Sequence, residues 1–231
     1  MELERIRGVG PDSFSALPRH IRLGRISFDE ALHSQEEAIA RLQKGGFASS
    51  IIFSLEHDPV ITCGRSAKQA NLLLPEHEYL ARGIELRRID RGGDVTWHGP
   101  GQVVVYPVLR LGDWGLKPGE YVRLLEETMI LTCRDFGVEA FRRQRFPGCW
   151  TQAGKIGAVG TSVKAGGITK HGLAFNVCND LTPFSLIIPC GIQNCLVTRL
   201  VDLVVTEVDQ TDVENRLVSH LLALLLSRAK I

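Results

Sequence analysis

The sequence predicts one α/β (α+β) domain with a mixed, largely antiparallel sheet flanked by helices. Helix-type and strand-type apolar patterns interleave over the 231 residues without a linker or an internal repeat. The apolar share of 44% and the charged share of 23% are typical of globular proteins, and the chain is long enough to bury a sizeable core. We therefore expect a variable leader at residues 1–20 and a single domain at residues 21–231.

Caps and turn residues delimit the elements of the first half. Ser27 and Glu30 match a capping box that starts a helix, and Gly45-Gly46 stops it. Pro75 opens a short helical turn. Pro107 lies in an apolar run typical of a buried strand, where a proline indicates a sheet edge or a strand end. The strands expected in this half are 50–55, 60–63, 84–89 and 103–109.

The second half predicts a helix, a meander and a final helix. A helix is expected over residues 118–136, where apolar positions recur at helical spacing. Residues 149–178 predict a β meander in which glycine-containing turns separate the strands. The last helix is expected to begin at Thr211, where Glu214 completes a capping box.

Composition and charge exclude several classes of function. The 27 Lys and Arg residues nearly balance the 26 Asp and Glu residues, so a protein that mainly grips nucleic acid by its backbone is not expected. No apolar run approaches the roughly 20 residues of a membrane span. The six cysteines are scattered and the first 20 residues lack an apolar signal-peptide core, which favours free thiols in a reducing compartment.

The most unusual segment is the glycine-rich stretch from Arg91 to Gln102. Its four glycines and one proline allow the backbone to approach another molecule closely, and Arg91 can hold an anion. A glycine-rich turn around a hydrogen-bonded His98 explains the same composition equally well. Neither the Walker pattern nor the dinucleotide fingerprint fits, so a nucleotide site is not predicted. Cys190 and Cys195 lack a second close ligand pair, so no metal site is predicted either.

A nucleophilic thiol is the better-supported chemistry. Cys190 follows a proline of fixed φ and precedes Gly191, which suits a thiol on a turn with open backbone amides for an oxyanion. Lys155 enters an apolar strand, and a desolvated lysine can serve as a base. The residues alone leave two alternatives open, because a cysteine is more often a small buried hydrophobe and a strand lysine is more often solvated. The two lie 35 positions apart, so spacing cannot show that they meet.

Three blocks of sequence carry a specific resemblance when they are taken together. They are Arg91–Gln102, then Gly154–Gly160 followed by His171–Asn176, and finally Ile188–Gly191 with Val197-Thr198. In order and spacing they resemble the lipoyl(octanoyl) transferase family, also called lipoate–protein ligase B, and Glu56–Arg65 resembles its upstream strand and loop. Three features depart from the family pattern. Arg199 stands where a serine is usual, Cys149 stands where a small apolar residue is usual, and the leader is atypical.

The resemblance implies a fold, a reaction and a set of site residues. The fold is that of the biotin and lipoate protein ligases. The reaction transfers an octanoyl group from octanoyl-acyl carrier protein to a specific lysine of a lipoyl domain, the first step of endogenous lipoate biosynthesis. Cys190 matches the nucleophile that forms an acyl thioester, and Lys155 matches the lysine that favours its thiolate and transfers protons. His98 and His171 are interpreted as groups that shape the pocket. The residues implied to bind the acyl substrate are Arg91, Gly92, Gly93, Asp94, Val95, Thr96, Trp97, His98, Ala158, Val159, Gly160, Gly172, Leu173 and Ala174.

The resemblance also implies partners and leaves rival functions. The acceptors are the lipoyl domains of 2-oxoacid dehydrogenase E2 subunits and the glycine cleavage H protein. No cofactor, metal, nucleic acid or membrane partner is expected, and the protein is expected to be a monomer in the cytoplasm, with mitochondrion or plastid as the alternative. The rivals are an ATP-dependent lipoate or biotin protein ligase, which activates a free acid as an adenylate, and a non-catalytic acyl-carrier-binding module.

Overall fold

The computed structural model describes residues 17–45 and 50–228 of the chain. Most of the predicted leader, and Gly46 of the predicted helix stop, lie outside the described residues. The helices of the described part, besides short 3-10 turns, are α1 Phe28–Gly45, α2 Glu76–Ala81, α3 Pro118–Asp135 and α4 Gln210–Leu226. Within these residues, no helix combines the length and the apolar character that crossing a bilayer requires. The strands are β1 Arg19–Ile26, β2 Ile51–His57, β3 Val60–Cys63, β4 Glu85–Arg88, β5 Val95–His98, β6 Gln102–Val108, β7 Phe141–Arg143, β8 Phe146–Thr151, β9 Gly154–Lys164 and β10 Ile168–Asn176.

The strands of the described residues form two sheets. The larger sheet has the order β1-β2-β6-β10-β9-β8-β7, and the smaller sheet has the order β4-β3-β5. The β1–β2 and β3–β4 pairs are parallel, whereas the remaining pairs are antiparallel. The predicted α/β domain with a mixed, largely antiparallel sheet is therefore confirmed, although two sheets carry it.

Alternation along the central strand β6 divides the core into two layers. Val103 and Val105 face the layer formed with α3 and α4, where Met129 and Leu217 are fully buried. Val104, between them, joins the layer packed against α1. A third cluster packs the smaller sheet, through β5, against the 3-10 turn at residues 182–186. Residues of β5, β9 and β10 thereby come to line a common cavity.

The N-terminal cap of α1 is the predicted one, whereas the N-terminal cap of α4 differs from the prediction. The Ser27 amide donates to Glu30 Oε2 at 3.0 Å, and the Glu30 amide donates to Ser27 Oγ at 3.3 Å, so the capping box is confirmed. At α4 the predicted cap is wrong, because Asp209 is the N-cap and accepts from the Thr211 amide. Glu214 does not cap the helix. Its carboxylate instead accepts hydrogen bonds from the side chains of Arg22 in β1 and Ser54 in β2.

Tertiary pairing decides one local prediction and corrects two others. Of the two alternatives for Pro107, the sheet edge is excluded because β6 lies between β2 and β10. The strand end is confirmed, because Pro107 lies one residue before the end of β6, and nearby Gly172 has no side chain to meet the proline ring. The glycine-rich stretch is not wholly a loop, because residues 95–98 form β5. Residues 19–20, placed in the leader, begin β1 and pair with β2.

The close approach of β10 to β6 generates a stability prediction. A Cβ at Gly172 would lie 2.1 Å from the backbone carbonyl oxygen of Val105, so Gly172→Ala must push the two strands apart. Overpacking of this kind costs about 1–3 kcal/mol, and we expect the upper part of that range because the obstacle is backbone. Urea unfolding measures the loss.

The matched control is Gly119→Ala in the first turn of α3, where nothing lies within 4 Å of an added Cβ. Its free energy of unfolding should be unchanged or higher by about 0.4–1 kcal/mol. Equal stabilities for the two variants would contradict the prediction.

Candidate active site

The side chains of Lys155 and Cys190 are in direct contact. Lys155 Nζ lies 3.1 Å from Cys190 Sγ and donates to the Pro147 carbonyl at 3.0 Å. Lys155 is 5% exposed, whereas Cys190 is partly exposed. An ammonium carries three N–H donors, so one remains for a third group. The tertiary structure thus supplies the contact that spacing alone left open.

Strand pairing fixes Lys155 near the start of β9. Its amide donates to the Leu196 carbonyl at 2.8 Å, and its carbonyl accepts from the Thr198 amide at 3.0 Å. Gly148 on the neighbouring β8 has a φ of 136°, and a Cβ there would lie 2.7 Å from Lys155 Cε. A glycine at this position therefore leaves the space that the lysine side chain occupies.

A strained turn presents Cys190. The residue lies in a 3-10 turn at Pro189–Gly191 with a φ of 56°, a left-handed conformation that is uncommon for a residue with a side chain. Such strain persists only where the surroundings hold the backbone in place. Here the Asn71 carbonyl accepts from the Ile188 amide at 2.9 Å and holds the entry to the turn.

Asp94 holds the same turn from the other side. One carboxylate oxygen accepts from the Asn71 side-chain amide at 2.7 Å, and the other accepts from the Val95 amide at 2.8 Å. A Cβ on Gly191 would lie 2.6 Å from Asp94 Oδ2, so the carboxylate occupies the space that a side chain would need. The Gly191 amide donates to the Ile188 carbonyl at 3.0 Å, so the expectation of an open oxyanion-hole donor at this amide is wrong.

A cavity of about 300 Å³ opens beside the Lys155–Cys190 pair. Most of the predicted substrate-binding residues line it: Arg91, Gly92, Gly93, Asp94, Thr96, His98, Ala158, Val159, Gly160, Gly172, Leu173 and Ala174. Val95 and Trp97 do not line it, because side chains alternate along β5 and these two pack in the core of the smaller sheet.

Aromatic side chains form the end of the cavity remote from the reactive pair. His171 pairs with Thr161 in the β9–β10 ladder, six residues along β9 from Lys155, or roughly 20 Å of strand. The His171 ring stacks on Phe28 with centroids 6.4 Å apart and meets Tyr106 edge-on at 6.0 Å. All three line the cavity, so they form its floor.

Burial keeps the histidines around this floor neutral. Desolvation lowers the pKa of His57 to about 4 and that of His98 to about 3. It also lowers the pKa of His171 to about 4, because burial outweighs the nearby carboxylate of Asp90. His98 Nδ1 is hydrogen-bonded to Gln102 Oε1 at 2.7 Å. Among the residues that the structure describes, no group of three or more His, Cys, Asp or Glu side chains could hold a metal ion.

The carboxylate of Asp90 orients His171 through a hydrogen bond of 2.8 Å from Nε2 to Oδ1. Although burial alone would raise the pKa of Asp90, hydrogen bonds from Lys164 and His171 hold it well below its usual range. Lys170 adds a further positive charge 3.5 Å away. The ring of His171 is therefore fixed from outside the cavity.

Arg91 brings a second buried positive charge to the cavity wall. Its guanidinium donates to the Thr62 carbonyl at 2.6 Å, to Thr62 Oγ1 at 2.9 Å and to the Gly92 carbonyl at 3.0 Å. These acceptors are neutral, so they orient the cation without cancelling its charge. Burial lowers the pKa of Arg91. Together with Lys155, it makes the cavity favourable for an anion or a developing negative charge.

Four further residues contribute to the site although no motif predicts them. Asn71 supports the Cys190 turn, while Phe28, Tyr106 and Arg145 line the cavity. Tyr106 interrupts an otherwise aliphatic buried strand, and that polar aromatic group is the one local signal available. The others lie on separate elements, so only the tertiary structure assigns them to the site.

Comparison with known proteins places the chain in a family. The family model of the lipoyl protein ligase A/B catalytic domain matches residues 28–222. A protein of Geotalea uraniireducens named octanoyltransferase is 45% identical over 180 residues, which cover 78% of this chain and 80% of that protein. An octanoyltransferase of Bacteroides fragilis (strain YCH46) is 43% identical over 213 residues, covering 88% and 96%. The chain belongs to the octanoyltransferase family.

Solved structures agree with the fold expected of an octanoyltransferase. A T. acidophilum protein with bound lipoic acid, assigned as a lipoate protein ligase, superposes with a TM-score of 0.73 at 20% identity, covering 91% of this chain and 86% of its own. A lipoate-protein ligase A bound with ATP gives 0.71 at 20% identity and the same coverage. A biotin protein ligase from Aquifex aeolicus gives 0.52 at 11% identity, covering 91% of this chain and 70% of its own. At these identities the likeness concerns the fold, which is the one predicted.

The Lys155–Cys190 contact predicts the reactivity of the thiol. We expect the amino group of Lys155 to favour the thiolate of Cys190, and Lys155→Met removes this group with a side chain of similar length. We expect alkylation of Cys190 by iodoacetamide at pH 7 to slow by about tenfold or more, because the thiolate is the nucleophile. Peptide mass spectrometry follows the modified residue.

Lys68→Met, at an exposed lysine, serves as the control and should react at the wild-type rate. Wild-type alkylation rates in Lys155→Met would show that the ammonium does not activate the thiol.

The neutral buried histidines predict a loss of stability in mild acid. Between pH 6.5 and 4 the unfolded chain takes up protons on histidine that the folded protein excludes, so the free energy of unfolding falls as the pH falls. His57→Gln removes one such group. Between pH 7.5 and 4.5 the free energy of unfolding of this variant should fall by about 2–3 kcal/mol less than that of wild type. Urea titrations at the two pH values measure the difference. His33→Gln, at an exposed histidine, should keep the wild-type dependence, and the same dependence in both variants would refute the assignment.

Proposed function

We propose that residues 21–231 act as one catalytic domain that transfers an octanoyl group from octanoyl-acyl carrier protein to a specific lysine of a lipoyl domain. The proposed intermediate is a thioester on Cys190. The observation that supports it most directly is the 3.1 Å contact of Lys155 Nζ with Cys190 Sγ beside the cavity. The proposed acceptors are the lipoyl domains of 2-oxoacid dehydrogenase E2 subunits and the glycine cleavage H protein, and we place the reaction in the cytoplasm.

The first half-reaction forms the acyl-enzyme. The Cys190 thiolate attacks the carbonyl carbon of the donor thioester, and a C–S bond to the enzyme forms as the bond to the carrier sulfur breaks. The carrier thiolate takes a proton from the Lys155 ammonium, which becomes a neutral amine. One thioester is broken and another is formed, so the free-energy change of this step is close to zero.

The second half-reaction restores the starting charges. The acceptor lysine first gives up its ammonium proton to solvent. Its neutral amine then attacks the Cys190 thioester, the C–N bond forms, and Cys190 leaves as a thiolate. Neutral Lys155 takes the proton that the amine loses and becomes an ammonium again beside that thiolate. The conversion of thioester to amide is downhill, so the cycle closes without ATP.

Lys155 supplies positive charge in the first half-reaction, and Arg91 supplies it in both. The third donor of the Lys155 ammonium is available to the oxygen that becomes negative when the carbonyl is attacked. Arg91, held by neutral acceptors, adds a fixed positive charge to the same cavity. Asp94 supports the Cys190 turn from outside the reaction, because its oxygens are engaged by Asn71 and Val95.

The apolar part of the cavity suits an unbranched acyl chain. Val159, Leu173 and Ala174 contribute to its walls and the floor closes it, so a chain attached to Cys190 extends along the surface of β9 and β10 that lines the cavity. Each buried methylene contributes about 0.8 kcal/mol, which gives several kcal/mol for an octanoyl chain. Gly160 leaves room for the Arg91 side chain on the cavity wall, because a Cβ there would lie 2.7 Å from Arg91 Cδ.

A carrier-dependent assay without ATP tests this function against its rivals. Wild-type protein incubated with octanoyl-carrier protein should gain one octanoyl group on Cys190, detected by mass spectrometry, and should then pass it to a lipoyl domain. An ATP-dependent ligase would stay inactive under these conditions, and a binding module would form no adduct.

Variants of two neighbouring thiols sharpen the test. Cys190→Ala should abolish the adduct and reduce transfer by at least about a thousandfold. Cys195→Ser changes a half-buried thiol of the same loop and should leave both unchanged. Transfer by Cys190→Ala at a comparable rate would remove Cys190 from the mechanism.

A further inference from the structure

The hairpin beside the reactive pair contains a backbone outlier. Gln144 and Arg145 connect β7 to β8, and Arg143 pairs with Phe146 at the base of this turn. Arg145 has a φ of 68°, a conformation that glycine or asparagine adopts at lower cost. Arginine at such a position is a sign of function when its side chain reaches a site, and Arg145 lines the cavity.

Two cations of this hairpin lie close to the reactive pair. The Arg143 guanidinium lies 4.6 Å from the centre of the Trp150 ring, and Lys155 Nζ lies 5.2 Å from the same ring. Arg142, one position earlier, is neutralised by ion pairs with the carboxylates of α3. Within residues 17–45 and 50–228, neither Arg143 nor Arg145 has a carboxylate within 4 Å. Both positive charges are therefore available to a partner.

Exposed apolar residues lie on both sides of Lys155. Phe146 is 42% exposed and precedes Pro147, whose carbonyl accepts from Lys155 Nζ. Leu196 is 70% exposed, and its carbonyl accepts from the Lys155 amide. An apolar centre with a basic rim is the usual composition of a protein-binding surface.

We propose that this mouth patch, formed by Arg143, Arg145, Phe146 and Leu196, binds the acyl donor, and that Arg145 contacts the phosphodiester of the donor's prosthetic arm. The inference rests on the proposed function and deepens it. The donor arm must enter the cavity mouth to bring its thioester to Cys190, and an anion along that arm meets Arg145 on the way. The acceptor instead brings a cationic lysine, which the unpaired arginines repel.

Three octanoyl donors of decreasing size test the contact. They are the octanoyl-carrier protein, octanoyl-phosphopantetheine and octanoyl-pantetheine, and the last has no phosphate. For Arg145→Gly we expect kcat/KM of Cys190 acylation to fall by about tenfold with the first two donors and by less than about twofold with octanoyl-pantetheine. The salt dependence with the carrier protein should also become shallower than that of wild type.

The glycine variant separates function from folding. Glycine adopts a φ of 68° without strain, so Arg145→Gly should unfold at the wild-type urea concentration or above it. Arg134→Gln, at an exposed arginine near the end of α3, is the matched charge control and should match wild type with every donor. The second half-reaction is measured separately, from isolated octanoyl-enzyme to a lipoyl domain, and Arg145→Gly should leave its rate unchanged.

Each other outcome overturns the proposal. An equal fall in kcat/KM with all three donors would show that Arg145 acts in the chemical step. An unchanged kcat/KM with every donor would show that Arg145 does not bind the donor. A loss confined to the second half-reaction assigns the patch to the acceptor. If wild-type protein forms no adduct with any donor, the proposed function itself fails, and this result is distinct from a variant effect on a working enzyme.

Discussion

A hydrogen bond between an ammonium and a sulfur is the contact on which the rest of the site depends. Lys155 and Cys190 meet because a strand pairing fixes one backbone and a strained turn fixes the other. Gly148 leaves space for the lysine, and Gly191 leaves space for the carboxylate that supports the turn. A buried ammonium is costly unless it is hydrogen-bonded, so the Pro147 carbonyl and the sulfur stabilise it in this position. The fold thereby holds the proposed proton donor and the proposed nucleophile in contact before any substrate binds.

The distribution of charge around the cavity follows from the same low-dielectric environment. Burial makes the histidines near the floor neutral at pH 7, since desolvation lowers their pKa values, whereas the guanidinium of Arg91 remains a positive group on the wall. The floor is consequently aromatic and uncharged, whereas the cation of Lys155 lies at the reactive end and Arg91 lies on the wall. In the proposed reaction, an acyl chain occupies this cavity while negative charge develops at the thioester. The separation of apolar and charged surface would then link the binding of the chain to the chemistry at its carbonyl.

Local rules succeeded where one short segment decides the structure and failed where a neighbour decides it. The capping box at Ser27 and the glycine turns of the meander act within a few residues, and both were predictable. Pro107 left a sheet edge or a strand end open, and the structure confirms the strand end, where the absence of a side chain at Gly172, 65 positions away, leaves room for the proline ring. The Gly191 amide was expected to be free to bind an oxyanion, but it donates a hydrogen bond within the turn that carries Cys190.

The sequence by itself determined the fold class, the family and the two residues proposed for the chemistry. The reason is that the spaced glycines, the Pro-Cys-Gly turn and the blocks around them are motifs of consecutive residues. Only the tertiary structure decided that Lys155 touches Cys190, that β5 turns Val95 and Trp97 away from the cavity, and that Arg145 reaches its mouth. The physical reason is that contacts between distant segments depend on strand register and side-chain alternation. A shift of one residue in register would turn every side chain of a strand to the opposite face.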